Sequence, residues 1–371
     1  MSFYTAVIRS NPISCDARAI KIIQSLSKKY KVIVLGWDRE AIYGPFEFIG
    51  RNTIIKRFKL RAPYGKIQLV LFYPLFWTWV LINLFIYRPK IVHACDLDSL
   101  LPCYVFKVLF PTKLVFDSFD RYAMAFIPPK HHMLYKFVNW LEALLAYRSD
   151  ALITVSKERL LSFGRYRPKH IEVIMNCPRD KPEMLKLGSG SNKHANEDLT
   201  LVYAGVISVK RGLHLIERAL REIEGVRLIL AGRVIDDIIG QLTRNPKIKY
   251  VGLLNYDAAL KLQALADVIP VLYDPSIPIN RVANPNKLFE AMMLGVPVIT
   301  NVCNEIVNEV GCGLVVEYDS SSIKAAILRL KNNPSLRRRM GVRGRMAFEK
   351  IYNWSLMEKK LIRLYSRLLT E

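Results

Sequence analysis

Acidic residues are scarce in this chain. Against 55 Lys and Arg stand 32 Asp and Glu, so the 371 residues carry a formal net charge of +23. A balance this basic calls for an anionic partner, and nucleic acid, an anionic membrane surface or anionic small molecules qualify. No nucleic-acid recognition motif is present, which favours the other two. Cysteines are few and dispersed (Cys15, Cys95, Cys103, Cys177, Cys303, Cys312). None form a CxxC pair and no histidines flank them at zinc-ligand spacing, which argues against a zinc module. They read as reduced thiols of a cytosolic protein. No signal-peptide pattern opens the chain, because Met1-Ser2-Phe3-Tyr4 passes directly into a strand-like run. No internal repeat recurs.

What is present describes two folded domains. The composition is 51% hydrophobic and 23% charged, and the length accommodates two separate cores. Strand-like runs at 3–9, 31–36, 91–95, 113–117 and 151–156 alternate with helical patterns at 16–29, 99–110 and 133–148. A polar, turn-rich stretch follows. The alternation then restarts with strands at 199–204, 226–231, 249–252, 267–273 and 313–317 and helices between them. This is the pattern of doubly wound parallel α/β sheets. The expected division is 1–182 for the first domain, 183–198 for a linker, 199–350 for the second domain and 351–371 for a C-terminal helix.

The most informative stretch is 284–299, Asn-Pro-Asn-Lys-Leu-Phe-Glu-Ala-Met-Met-Leu-Gly-Val-Pro-Val-Ile. Asn284 suits an N-cap, Pro285 the first helical position and Gly295 the helix end, with a short strand after it. Lys287 and Glu290, three apart, project from one face of the first turn. Helix amides and a lysine hold a diphosphate, and a carboxylate accepts hydrogen bonds from sugar hydroxyls.

This stretch resembles the donor-site signature of the GT-B glycosyltransferases, in particular the retaining family-4 (glycosyl transferases group 1) type. Leu201 to Gly205 followed by Lys210-Arg211-Gly212-Leu213 resembles the strand–loop–helix that opens the donor domain. Ile91 to Asp96, Lys113 to Ser118, Ala151 to Ser156 and Ile174-Met175-Asn176 are similar to segments of the acceptor domain. The resemblance implies two Rossmann-like domains facing each other across a cleft, with a C-terminal helix crossing back to the first. It implies a nucleotide diphosphate-sugar donor, a glycan or lipid-linked acceptor, and retention of anomeric configuration. The donor-binding residues implied are Gly205, Arg211, Asn286, Lys287 and Glu290, with Glu290 on the ribose. No cofactor and no metal are expected, because Arg211, Lys287 and helix amides can neutralise the diphosphate. Asp96-Leu97-Asp98 has metal-binding spacing, but helix capping explains Asp98.

Three positions depart from the family pattern. Val282 stands where a glutamate is usual, eight before Glu290. Val206 stands where an arginine often follows the glycine, and Cys95 replaces the second histidine of a His-x-His pattern. His93, Asp96 and Asp120 are therefore the catalytic candidates on the acceptor side. Their alternative is structural: a strand-end histidine and helix-capping aspartates. A nucleotide-sugar epimerase, a non-catalytic GT-B subunit and, more remotely, a nucleic-acid-binding protein are the rival readings.

One long uncharged run remains, Ile67 to Tyr87. It qualifies as a membrane span by length. A span would split one sheet across a bilayer, and Pro74 would disrupt a continuous helix. Two readings remain, a helix buried against the first domain or, the one favoured, a helix that dips one face into an anionic bilayer surface with Phe76, Trp77, Trp79 and Tyr87 at the interface. Arg51, Lys56, Arg57, Lys59, Arg61 and Lys66 precede it and suit anionic headgroups. This places the chain at the cytosolic face of a membrane.

Overall fold

The computed structural model describes residues 4–14, 16–63, 67–128, 130–189 and 198–371. It divides into two compact units, Met1–Met175 with Met357–Glu371, and Asn176–Leu356. Residues 176–182 thus go with the second unit. Positions 190–197 of the expected linker lie outside the described residues.

The first unit contains strands β1 Tyr4–Arg9, β2 Lys31–Trp37, β3 Phe46–Ile49, β4 Thr53–Phe58, β5 Ile91–Cys95, β6 Lys113–Ser118, β7 Ala151–Thr154 and β8 His170–Val173. They form one sheet in the order β3-β4-β2-β1-β5-β6-β7-β8. All neighbours are parallel except β3 and β4. Its helices are α1 Ala17–Leu26, α2 Tyr73–Tyr87, α3 Leu97–Leu109, α4 Tyr122–Phe126, α5 His132–Arg148 and α6 Lys157–Leu161. β2 is buried along almost its whole length, as a parallel strand covered on both faces must be, which is why it reads as a continuous apolar run. The last strand of this unit is β8 at His170–Val173, and the Ile174-Met175-Asn176 segment follows it outside any strand.

The apolar run becomes a short 3-10 turn, Ile67–Leu71, and then α2. Pro74 opens that helix instead of breaking it, since a first-turn residue needs no backbone donor. Among the described residues no helix is long and apolar enough to cross a membrane. The expected interfacial aromatics face inward. Phe76 is fully buried and stacks on Trp37, Trp79 packs on Phe58, and the Trp77 indole donates to the Asp98 carbonyl at 2.8 Å. Tyr87 packs edge-on against Tyr4. The exposed side of α2 is instead Leu75, Ile82, Phe85 and Ile86, with Val105, Val108 and Leu109 exposed on α3. The basic stretch before it is also divided. Arg57 is buried on the Pro12 and Gly44 carbonyls and on Glu47, and Lys56 bonds Asn83 of α2. Arg51, Lys59 and Arg61 are exposed.

The second unit has β9 Leu199–Ala204, β10 Val226–Ala231, β11 Ile248–Tyr250, β12 Ile269–Val271, β13 Val298–Thr300 and β14 Gly313–Val315. Two parallel three-stranded sheets, β11-β10-β9 and β12-β13-β14, are joined by a parallel bridge between Leu201 and Val268. The helices are α7 Leu185–Ser189, α8 Leu213–Arg221, α9 Ile239–Leu242, α10 Tyr256–Ala264, α11 Pro278–Arg281, α12 Asn286–Leu294, α13 Asn304–Val310, α14 Ser320–Lys331 and α15 Pro334–Lys350. α16, Trp354–Thr370, begins in the second unit and runs on in the first. α12 ends at Gly295, whose φ of 67° gives the left-handed turn a glycine adopts freely. α15 lies close along α12, with Gly344 against Met292.

Candidate functional site

The start of α12 differs from expectation by one residue. Pro285, extended at φ −73° and ψ 133°, is the N-cap, and the helix begins at Asn286. No side chain caps it, and the Leu288 amide of its first turn donates to the Pro285 carbonyl at 3.1 Å. Asn284 is not the cap, and both atoms of its carboxamide are buried with no hydrogen-bond partner. Asn286 is exposed in the first turn.

Lys287 and Glu290 share the expected face. The Lys287 ammonium sits over the Tyr203 ring, 4.9 Å from its centroid, and lies against Gly205 so closely that a Cβ there would overlap it. Burial pushes this lysine below its ordinary range, Glu290 opposes the shift and Arg211 adds to it. Arg211 ends a 3-10 turn, Val209–Arg211, just before Gly212 and α8. Its guanidinium lies 4.0 Å from the Tyr273 ring centroid, and Nη1 is buried without a partner. Two cations are thus seated on tyrosine faces, a contact that holds a charge in place without neutralising it. Gly205 itself donates to the Ala231 carbonyl at 2.8 Å and packs on Gly232. Val206 is 39% exposed where the resemblance expects an arginine.

Glu290 is 8% exposed. Gln263 Nε2 donates to its Oε2 at 3.4 Å, and the Tyr256 hydroxyl also bonds it. Burial, then the Glu290 carboxylate, hold the Tyr256 phenol well above its usual range. Tyr256 and Gln263 are seven apart on α10, one helix face two turns long. Sequence reasoning missed these two and the tyrosine seats Tyr203 and Tyr273. The seven-residue spacing was the available signal for the first pair. The seats carry none, because a tyrosine at or just beyond a strand end looks the same whether it faces core or cation.

The candidates of the first unit belong to a separate network. His93 on β5 has no exposed surface. Its Nδ1 lies 2.7 Å from the Tyr365 hydroxyl of α16, and Nε2 lies 3.4 Å from Asp117. Asp117 in turn receives Arg18 Nη2 at 2.8 and 3.1 Å. A ring enclosed in this way does not match the expected contact with substrate, and it acts here as an internal tie. Asp96 turns the chain at φ 64° between β5 and α3. Its Oδ1 accepts from the amides of Phe119 (2.8 Å) and Asp120 (3.2 Å), and Oδ2 pairs with Arg9. Burial pushes its carboxyl up to about 6, Arg9 opposes, and Asp120 and Asp98 add. Asp120 is half exposed and pairs with Arg159 at 3.0 Å. Asp98 makes no capping bond. It accepts from Ser10 and from the Tyr73 hydroxyl.

Comparison with known proteins agrees with this geometry. Residues 198–333 match the family model described as glycosyl transferases group 1. An uncharacterized glycosyltransferase of Methanocaldococcus jannaschii is 23% identical over 262 residues, covering 62% of this chain and 63% of that protein. Sucrose-phosphate synthase from Thermosynechococcus elongatus superposes with a TM-score of 0.82 at 16% identity, covering 99% of both chains. HepE of Anabaena, solved in complex with UDP-glucose, gives 0.71 at 14% identity, covering 98% of this chain and 99% of its own. The two α/β units share the fold of these solved structures, and the segment that matches the group 1 family model contains every donor-side residue named above.

Proposed function

We propose that the chain transfers a sugar from a nucleoside diphosphate-sugar to a glycan or lipid-linked acceptor, with retention of configuration. One observation carries the reading. Arg211 and Lys287 are two half-buried cations seated on tyrosine faces, Lys287 against the bare Gly205 backbone, with Glu290 on the same helix face as Lys287. A diphosphate joined to a ribose fits that array. The HepE structure with UDP-glucose supports a nucleotide-sugar donor.

Breaking the anomeric bond builds negative charge on the leaving phosphate. Lys287 gains most from that charge, because burial has stripped water from its ammonium, and Arg211 offers a guanidinium nitrogen with no partner of its own. Lys287, whose ammonium lies at Gly205, supplies the cation that Val206 lacks. With two cations and the uncapped N-terminus of α12, the diphosphate needs no bound metal. Glu290 accepts the ribose hydroxyls, steadied by Gln263 and Tyr256.

Calorimetry with UDP, GDP, dTDP and CMP, without added metal, tests this. Selective binding of one nucleotide is expected. Glu290→Ala is expected to weaken it by about tenfold or more, the worth of charge-assisted hydrogen bonds, with the fold intact. Equal affinity in the variant would remove Glu290 from the site.

The acceptor is reached, on the same reading, at the cytosolic face of an anionic membrane. The exposed aliphatic side of α2 and α3 supports this, with exposed Arg88 and Lys90 just beyond the end of α2. Replacing Leu75, Ile82 and Ile86 together with Ser should lower sedimentation with phosphatidylserine-containing liposomes several-fold. Unchanged sedimentation of a folded variant would sink the membrane reading.

A further inference from the structure

One cavity of the first unit belongs neither to the donor-side residues nor to the Asp96 network. It measures about 710 Å³ and lies at the amino ends of the parallel strands β6, β7 and β8, beside the end of α5. Ligands of such sheets bind beyond the carboxyl ends, so the proposed sugar transfer makes no use of this edge. Lys113, Arg148, Arg167, Lys169, His170 and Glu371 line the cavity.

Its charges do not balance. Asp150, also in the wall, is already held by Lys107 Nζ and the Leu114 amide, both at 2.7 Å. Glu371, just past α16, puts its carboxylate among the cations. Lys169 Nζ donates to its Oε2 at 2.9 Å, and His170 Nε2 lies 3.0 Å from the same oxygen. Hydrogen bonds from Lys169, then His170, bring this carboxyl down to about 2. His170 is 8% exposed, so its ring is a fixed part of the wall. Lys113, Arg148 and Arg167 have no side-chain hydrogen bond or ion pair among the described residues. One internal carboxylate already sits here, and three cations are still unmatched. A phosphomonoester brings roughly two charges and three acceptor oxygens, which suits arginine forks better than a single carboxylate does.

We propose that this cavity is a phosphomonoester-binding site, held by the Glu371 carboxylate in the free protein and yielded by it when the phosphate arrives. The phosphate belongs either to a small soluble molecule or to a lipid headgroup such as phosphatidic acid. The chain runs from exposed Val108 and Leu109 at the end of α3 to Lys113 in the cavity wall, so a headgroup has an apolar surface beside it in sequence. The site stands apart from the donor-side residues and does not depend on them.

Two probes test it: glycerol phosphate by calorimetry, and phosphatidic acid liposomes by sedimentation against phosphatidylserine liposomes of matched charge. Both are given to Lys287→Ala protein, in which the donor-side lysine is gone, with folding checked by thermal melting. Glycerol phosphate binding, an excess on phosphatidic acid, or both is expected. The first alone assigns a soluble phosphomonoester, the second alone a headgroup, and the two together the phosphate group itself. Replacing Arg148 and Arg167 together with Ala should lower the signal about tenfold or more. Glu371→Gln, which keeps the size and removes the internal charge, should raise it several-fold. Replacing Arg51 and Lys59, two exposed cations elsewhere on the first unit, with Ala should leave it unchanged. No response to either probe overturns the proposal. So does an equal loss from the Arg51 and Lys59 pair, no loss from the Arg148 and Arg167 pair, or an unchanged or weaker signal in Glu371→Gln. Each of these results leaves the donor-site reading where it stands.

Discussion

Lys287→Ala is expected to lose about 10- to 100-fold in affinity for a nucleoside diphosphate while melting no earlier than the wild type. The binding loss follows from the value of a charge-assisted hydrogen bond to phosphate, roughly 1.5–3 kcal/mol, at 1.4 kcal/mol per factor of ten. The preserved stability follows from the ligand-free structure. Lys287 is a desolvated cation held by the Tyr203 ring and Glu290, and Arg211 repels it. Removing such a group relieves desolvation and repulsion at once, so a functional cation behaves oppositely to a structural one. Calorimetry and thermal melting of the same sample check both halves. A lower melting temperature with unchanged affinity would assign Lys287 to the scaffold.

Asp117→Ala is expected to do the reverse in the first unit. Asp117 and Arg18 form an ion pair at 2.8 Å with side chains 0% and 3% exposed, and His93 and Tyr365 extend the network. Deleting the carboxylate leaves Arg18 buried and unpaired, a change that costs about 3–5 kcal/mol in comparable sites. Burial alone would raise the Asp117 carboxyl, but Arg18 and His93 outweigh it and hold it below the ordinary carboxylate range. A group depressed in the folded state contributes stability above its unfolded pKa and loses it as pH falls through the folded one. The wild type should therefore shed this contribution on acidification below about pH 4, and Asp117→Ala should be flatter there. Urea unfolding at several pH values measures both, and a variant as stable as the wild type at neutral pH would refute the network's role.

Much of the fold is written in local patterns. β5, β9 and β10 appear where alternation of strand-like and helical runs places them, because parallel strands are apolar throughout and helices between them are not. β3 and β4 escape that logic. β3 is exposed along its whole length and β4 is half buried, so neither shows a continuous apolar run. On the donor side, the Lys287–Glu290 spacing is legible because both lie on one helix. The tyrosine seats are not, since Tyr203 and Lys287 lie 84 positions apart and meet only in the folded chain. His93 shows the opposite error. A histidine near a strand end looks chemical in one dimension, whereas burial beside Tyr365, 272 residues away, makes it a structural tie. Trp77 and Trp79 likewise have interfacial character by composition, and packing alone decides that the aliphatic side of α2 faces out.

The contact between Gly205 and Gly232 has a practical corollary for mutational scanning. A Cβ at position 232 would run into the Gly205 backbone, and Gly205 in turn abuts the Lys287 ammonium. Residue 232 therefore governs the anion site at second hand. In a scan read out by nucleotide binding it would rank beside the true contacts while touching no ligand, and a change there could not be repaired by altering the substrate. Separating the two kinds of position takes substrate analogues: a contact residue changes the preference among them, and a backbone prop such as Gly232 lowers all of them alike.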